Sequence, residues 1–521
     1  MAGSASEAKE IEAPPSFLIV NPKKGKKRDI FKYLVGKNVK SGMSFLDSSD
    51  EEIKGGAAVD HRWMLLVSII ICRFLNLIYL PMKYIGDAVD FFLNLISQNE
   101  GLSGIFHNFF HGSLKVPQKD SETFLSNFGH VDGRIELYRS IILSEQVDNH
   151  IVSDVANIKS DLGNKYLMDL CVMSAKLAYE NPKVVQNVVD NYWKMHFVAF
   201  YNCWNESQKQ SNTQVFICYD KPKDANLIVV SFRGTETFNT QDMVTDLDFS
   251  WFQIPKVGKI HIGFLEALGL GNRSDPATFQ FHLAKHESDF FHLHGDWESK
   301  MKEFAMTKAF YAVALTLKHL LIEHKNAKFV VTGHSLGGAL AILFPSVLVI
   351  QEETAMLDRL LNVYTFGQPR IGDPKFAGFM EAHLNYPDTR YFRVVYCNDM
   401  IPRVPFDDEL FAFKHFGTCI YYDSWYYGKF MEEEPNKNFF SLRYMIMMWP
   451  NAQWELLRSM IISYMYGPYY KETWLSTVFR LTGLLIPSVP AHSPVEYVNS
   501  VRLGREKSVA PFTSLKSFVR K

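Results

Sequence analysis

Hydrophobic and polar positions divide the chain into contrasting stretches. Up to about residue 60 they are polar and uneven, with no sustained period. Residues 63–80, WMLLVSIIICRFLNLIYL, are almost continuously apolar and stop at Pro81. Residues 82–96 then mix Asp87 and Asp90 with Phe91, Phe92, Leu93 and Ile96, an amphipathic pattern. A membrane-spanning helix needs about 20 apolar residues, and a central Arg such as Arg73 costs about 2.5–3.5 kcal/mol. The pair reads as an interfacial or hairpin anchor, with a buried helix of a larger domain as the alternative. From about Tyr166 the pattern turns globular. Leu227–Phe232 (LIVVSF) predicts a buried strand, and residues 306–323 carry a helical period. Between them, residues 270–300 are rich in His and charge and predict a surface insertion. Phe329-Val330-Val331 predicts a strand, residues 339–350 an apolar helix, 363–366 a strand, Asp373-Pro374 a helix start and 391–397 a third strand. Strand and helix alternating at this spacing predict an α/β fold, a mostly parallel central sheet with flanking helices. The expected domains are a polar tail over 1–60, a lipid-associating helical region over 61–150, and an α/β domain over 151–521.

Composition narrows the class. The 521 residues are 47% hydrophobic and 21% charged, which excludes wholesale disorder. The net charge of −1 gives no sign of a nucleic-acid partner. Much of the aromatic content, 41 Phe and 24 Tyr, must form core, which leaves room for some of it as surface for a greasy ligand. Cys72, Cys171, Cys203, Cys218, Cys397 and Cys419 form no CxxC pair, so neither a zinc site nor a disulfide scaffold is expected. The N-terminal residues carry early Glu and no apolar core, unlike a secretory or transit signal, so reduced thiols on the cytosolic side are expected. The basic run Lys23, Lys24, Lys26, Lys27 and Arg28 reads as a solvated tail or as a contact with anionic headgroups.

The chemistry is concentrated at Gly333-His334-Ser335-Leu336-Gly337. A GxSxG pattern occurs by accident in about one such chain in five. Here, though, a buried strand leads in and an apolar helix leads out, the setting of a nucleophile elbow. Gly333 and Gly337 leave room for the turn, and Ser335 is presented at the helix N-terminus, where developing negative charge is favoured. A serine hydroxyl needs a base and the base needs an acid. In α/β-hydrolases they follow in the order acid, then His. Asp399, just after the strand at 391–397, fits the acid. Asp373 competes but already serves as a helix cap, and Asp407 and Asp408 lie in an acidic loop. Only His415 and His492 follow Asp399. His415 sits in an aromatic, strand-like run, whereas His492 lies in the loop Pro490-Ala491-His492-Ser493-Pro494, the better place for a proton shuttle. The oxyanion donors are expected at the backbone N–H of Leu336 and at Thr235, which follows the strand 227–232 through Arg233-Gly234.

These residues resemble the lipase class 3 family, whose fold is that of the fungal triacylglycerol lipases. The matching pieces are Phe232-Arg233-Gly234-Thr235, VTGHSLGGALA at 331–341, TFGQPRIGD at 365–373, Asn398-Asp399 with Ile401-Pro402, and His492 with Tyr497. The resemblance covers about residues 166–501. The run YYDSWYYGKFMEEEPNKNFF at 421–440 and the apolar stretch ahead of the domain are similar to plant oil-body lipases. The resemblance implies an α/β-hydrolase with Ser335, Asp399 and His492 as triad and Thr235 and Leu336 as oxyanion donors. It implies triacylglycerol as substrate, with di- and monoacylglycerols. The implied place is an oil body or membrane surface facing the cytosol, or the endoplasmic reticulum. It implies no metal or cofactor. The sequence specifies no oligomeric state. Residues 238–255 would form a short amphipathic lid, with Trp251 and Phe252 on its greasy face and Asp242, Asp246 and Asp248 kept wet, the alternative being that the stretch packs as core next to the strand. Two departures stand out. Asp399 and His492 are 93 residues apart, and the added aromatic stretch, about 405–487, reads as an insertion. Residues 63–96 also lack the proline-rich knot of oleosin hairpins. A phospholipase A1 or galactolipase would use the same residues, and a non-catalytic lipid-surface protein remains the alternative of another class.

Overall fold

The structure is a computed structural model that describes residues 16–22, 24–26, 44–49, 62–138, 164–206, 208–236, 238–285, 295–407, 412–439 and 441–506. Most of the expected tail, and Lys23, Lys27 and Arg28 of the basic run, lie outside these residues. In chain order the elements used below are strands β1 (Phe17–Val20) and β2 (Leu46–Ser48), then helices α1 (Arg62–Gln98), α2 (Asn127–Val131) and α3 (Lys165–Leu177). Strands β3 (His196–Asn205), β4 (Gln210–Tyr219) and β5 (Leu227–Phe232) follow, then α4 (Thr240–Asp246), β6 (Trp251–Ile254), β7 (Gly258–His261) and α5 (Ala309–Glu323). Next come β8 (Lys328–His334), α6 (Leu336–Ile350), β9 (Leu360–Phe366), α7 (Pro374–Leu384) and β10 (Tyr391–Tyr396). The chain closes with β11 (Thr418–Tyr422), β12 (Tyr427–Met431), α8 (Leu442–Tyr466), α9 (Trp474–Leu481), α10 (Pro494–Leu503) and β13 (Arg505–Glu506).

The main sheet has nine strands in the order β13-β12-β11-β10-β9-β8-β5-β4-β3. Its centre, β5, β8, β9, β10 and β11, is parallel, as the alternation of apolar strands and helices requires. Every residue of β5 is buried, which fits a strand covered on both faces. Helix α6 packs on one face and is buried throughout residues 336–349. Helix α3 packs on β8 on the other face. Strand order and crossover helices make this an α/β-hydrolase fold.

Three expectations need correction. The tail is not wholly separate: β1 pairs with β2 and with β6, closing a second sheet of order β2-β1-β6-β7. The stretch 405–487 is not wholly an insertion, because it supplies β11 and β12 to the main sheet. The anchor is not a hairpin. Helix α1 runs unbroken through Pro81, which removes one backbone bond but does not interrupt packing against α2 and α4. By length and composition α1 is able to cross a membrane. One flank, however, is held by protein: Arg73 donates through Nε to the Pro22 carbonyl (2.7 Å) and through Nη2 to the Gly25 carbonyl. The charge that would burden a membrane helix is thus turned inward. Val67, Ile70, Phe74, Leu77 and Tyr84 form an exposed stripe on the other flank.

Candidate active site

Strand β8 ends at His334 and α6 begins at Leu336, so Ser335 occupies the whole turn. Its backbone lies at φ 58° and ψ −132°, a left-handed conformation that a non-glycine residue adopts only when its surroundings force it. The forcing contacts are visible. A Cβ on Gly333 would lie 2.1 Å from the Gly337 carbonyl oxygen, and one on Gly337 would lie 2.3 Å from that of Phe232. Only glycines let the helix start this close to β5 and β8.

The three expected partners meet. The Ser335 hydroxyl stands 2.8 Å from His492 Nε2, and His492 Nδ1 lies 2.7 Å from Asp399 Oδ2. A carboxylate only accepts, so Nδ1 carries the proton and Nε2 is free to receive one from Ser335. Asp399 is fully buried, and its oxygens accept from the Ile401 N–H (2.9 Å) and from the Tyr497 hydroxyl. Tyr497 reaches it from the first turns of α10, the helix that follows His492, so one element places both the base and a clamp on its acid. Gly367, at φ 60°, passes so close that a Cβ there would lie 2.8 Å from Asp399 Oδ2 and 3.0 Å from His492 Cε1.

His334 is built into the same unit. Its Nε2 lies 2.9 Å from the carbonyl of His492, which makes it the donor, and the Tyr179 hydroxyl donates to its Nδ1 at 2.8 Å. Burial pushes its pKa well below the ordinary histidine range, so it stays neutral beside His492. His415 is elsewhere: Nε2 donates to the Pro402 carbonyl at 2.7 Å, and burial depresses its pKa as well. Asp373 caps α7 by accepting from the Phe376 N–H at 2.8 Å. Both competitors hold structural posts.

The oxyanion candidates border the elbow. Leu336 is the first residue of α6, where backbone N–H groups have no partner within the helix. The loop after β5 lies against the elbow, since a Cβ on Gly234 would meet the His334 carbonyl at 2.3 Å. Arg233 fixes that loop through Gln214 Oε1 and the Asn212 carbonyl, both at 2.8 Å. The Thr235 hydroxyl beside it is buried and has no hydrogen-bond partner among the described residues. Such an orphan is costly unless something arrives to use it.

Relatives point the same way as this geometry. A model of the family lipase (class 3) matches residues 229–409. The triacylglycerol lipase OBL1 of Ricinus communis is 50% identical over 96% of this chain and 97% of its own, and that of Arabidopsis thaliana 48% identical over 97% and 98%. The chain belongs to the class 3 lipases. A Rhizomucor miehei triacylglyceride lipase structure is far more distant: 23% identical, covering 48% of this chain and 77% of its own, with a TM-score of 0.33.

In this class 3 lipase, residues 238–255 are not a free lid. Residues 240–246 form α4, but Trp251 and Phe252 lie on β6, 2% exposed each, with Trp251 paired to Leu18 and His261. Two of the three acidic positions are not kept wet: Asp242 accepts from Gln208 Nε2 (2.7 Å) and Asp248 pairs with Arg273 (3.0 Å), while the Asp246 side chain lies outside those described. Helix α1 roofs α4 instead. The Ser68 hydroxyl donates to the Leu247 carbonyl, the Thr240 hydroxyl donates to the Leu75 carbonyl, and Gly86 faces Phe238. Behind this contact a cleft of about 290 Å³ runs from Tyr79 and Lys83 to Tyr179 and Arg233. Tyr179 carried no signal in the sequence, because only folding brings α3 under the elbow.

Proposed function

We propose that this class 3 lipase is a triacylglycerol lipase working at a lipid surface through Ser335, His492 and Asp399. The observation that carries it is the unbroken relay from Asp399 through His492 to a strained, helix-capping Ser335. Ser335 Oγ attacks the ester carbonyl and His492 Nε2 takes its proton. Asp399 stabilises the resulting imidazolium, and Tyr497 and the Ile401 N–H keep that carboxylate in place. The oxygen of the tetrahedral intermediate sits between the Leu336 N–H and Thr235. His492 then protonates the departing glycerol oxygen and leaves an acyl-enzyme. A water activated by the same histidine attacks the acyl carbon and frees the fatty acid. None of these steps calls for a metal or cofactor.

The exposed stripe of α1 lies on the lipid, and the cleft beside α4 is lined by the same helix, at Tyr79 and Lys83. The relatives named triacylglycerol lipases support triacylglycerol as the substrate, and the same mechanism extends to di- and monoacylglycerols. The surface is an oil body, approached from the cytosol.

The test is full-length protein, with Ser335→Ala as control, against emulsified triolein, diolein, monoolein, phosphatidylcholine and monogalactosyldiacylglycerol. Triolein hydrolysis that vanishes in the control is expected. Hydrolysis confined to the phospholipid or galactolipid would replace the substrate class, and no hydrolysis of any ester would end the enzymatic reading.

A further inference from the structure

Residues 442–489 are inside out. They hold six charged side chains: Arg443, Glu455, Arg458, Lys471, Glu472 and Arg480. Four of these point inward, three of them in ion pairs and Glu455 in a hydrogen bond. Arg458 Nη2 meets Glu496 of α10 at 2.7 Å, and Arg480 bonds both Glu496 and Glu472, the latter at 2.6 Å. Glu455 accepts from the Tyr396 hydroxyl at 2.8 Å. What faces outward on α8 is Ile446, Leu457, Met460 and Tyr464, the last 90% exposed. On α9 and the turn after it, Ser476 and Arg480 are buried while Trp474, Leu481, Leu485 and Ile486 are exposed.

A helix bordered by water turns its charges outward. Charges gathered and paired inside, with apolar side chains outside, is the arrangement a hydrocarbon medium selects. The two charged residues left outside, Arg443 and Lys471, are both basic and exposed, which suits the phosphate of lipid headgroups. The face also reaches the chemistry, since exposed Val489 precedes His492 by three residues.

We infer that α8, α9 and the turn through Val489 form a second lipid-contacting surface, distinct from α1, which docks the enzyme on a phospholipid-coated droplet beside the active site. Helix α2 packs against both α1 and α9, so the two lipid-facing helices share a neighbour in the fold. This rests on the lipase reading for the identity of the droplet, but not for the binding itself.

The test uses the full chain. The triple variant Leu457→Gln, Met460→Gln, Tyr464→Gln is floated with triolein droplets coated with phosphatidylcholine, with and without phosphatidylserine. Droplet binding is expected to fall about a hundredfold or more while hydrolysis of soluble p-nitrophenyl butyrate holds. The pair Arg443→Gln, Lys471→Gln is expected to lose only the gain that phosphatidylserine gives. A second measurement does not depend on the triple variant folding: brominated phospholipid should quench wild-type tryptophan fluorescence more than that of Trp474→Phe. Unchanged droplet binding, or equal quenching in the two proteins, would overturn the inference. So would a wild-type dimer in sedimentation that the triple variant abolishes while droplet binding is kept, since the face would then join two copies. Loss of ester hydrolysis in wild type with binding intact would strike the lipase reading instead.

Discussion

Helices α6 and α8 are both rich in apolar residues and both contain a proline, yet they are built in opposite senses. Helix α6 carries no charge and is buried on all sides, so its stability follows from burial alone. Helix α8 buries Glu455, Arg458 and Ser459 and exposes Leu457, Met460 and Tyr464. The first is a core helix whose free end presents Ser335. The second is a surface helix that turns its apolar side outward. Hydrophobicity therefore has two uses in this molecule. Around the main sheet it fixes the geometry of the candidate site, and along α8 and α1 it is left exposed, where the proposed lipid contact would use it.

The sharpest break of this comparison lies at the α6 end. Ser335→Ala and His492→Ala should each lower hydrolysis of soluble and emulsified esters alike by about 10⁴–10⁶, and the double variant should be little worse than either. Droplet flotation should not change. A Ser335→Ala protein that hydrolysed soluble ester at the wild-type rate would detach the chemistry from α6. Next in size is Thr235→Val, which removes the unpartnered hydroxyl beside the elbow. Turnover should fall by about 10²–10³ on both substrate forms. Unchanged turnover would leave only the Thr235 backbone N–H in the hole.

These candidate residues were legible in the sequence because each was constrained locally. Ser335 sits in a five-residue pattern between a strand and a helix, and chain order left two histidines, of which His415 proved to be held by the Pro402 carbonyl. The parallel strands were legible for the same reason, being short apolar runs closed by turn residues. What failed was non-local. Trp251 and Phe252 read as a lid because their partner strand β1 lies some 230 residues earlier, in a stretch that looked like tail. Residues 63–80 and 82–96 read as two segments because Pro81 interrupts the pattern, whereas contacts with α2 and α4 carry α1 through it. In α8 the sequence offered both an apolar and a charged side, and no local rule says which of them the fold turns inward.

The smallest effect sharpens the α8 half of the comparison. The cluster beneath α8 joins three carboxylates, Glu455, Glu472 and Glu496, to two guanidiniums, Arg458 and Arg480. Two positive charges cannot balance three negative ones out of water, so one carboxyl is driven to keep its proton. Glu455 is that group: burial, and then Glu496, push its pKa up to about 7. The folded chain therefore holds a proton that the unfolded chain releases at the ordinary glutamate value of 4.5. More protons bound in the folded state means that stability from this group falls as pH rises from about 4.5 to 7. Glu455→Gln supplies a permanently neutral side chain of the same shape, which keeps an acceptor for the Tyr396 hydroxyl. Near pH 5 the two proteins should melt together. Above pH 7 the variant should melt a few degrees higher, the wild type alone having had to ionise a buried acid. Thermal unfolding followed at pH 5, 6, 7 and 8 reads the difference directly. A gap between the two curves that stays constant with pH would mean that Glu455 is ionised throughout, and that the inner side of α8 carries a net negative charge.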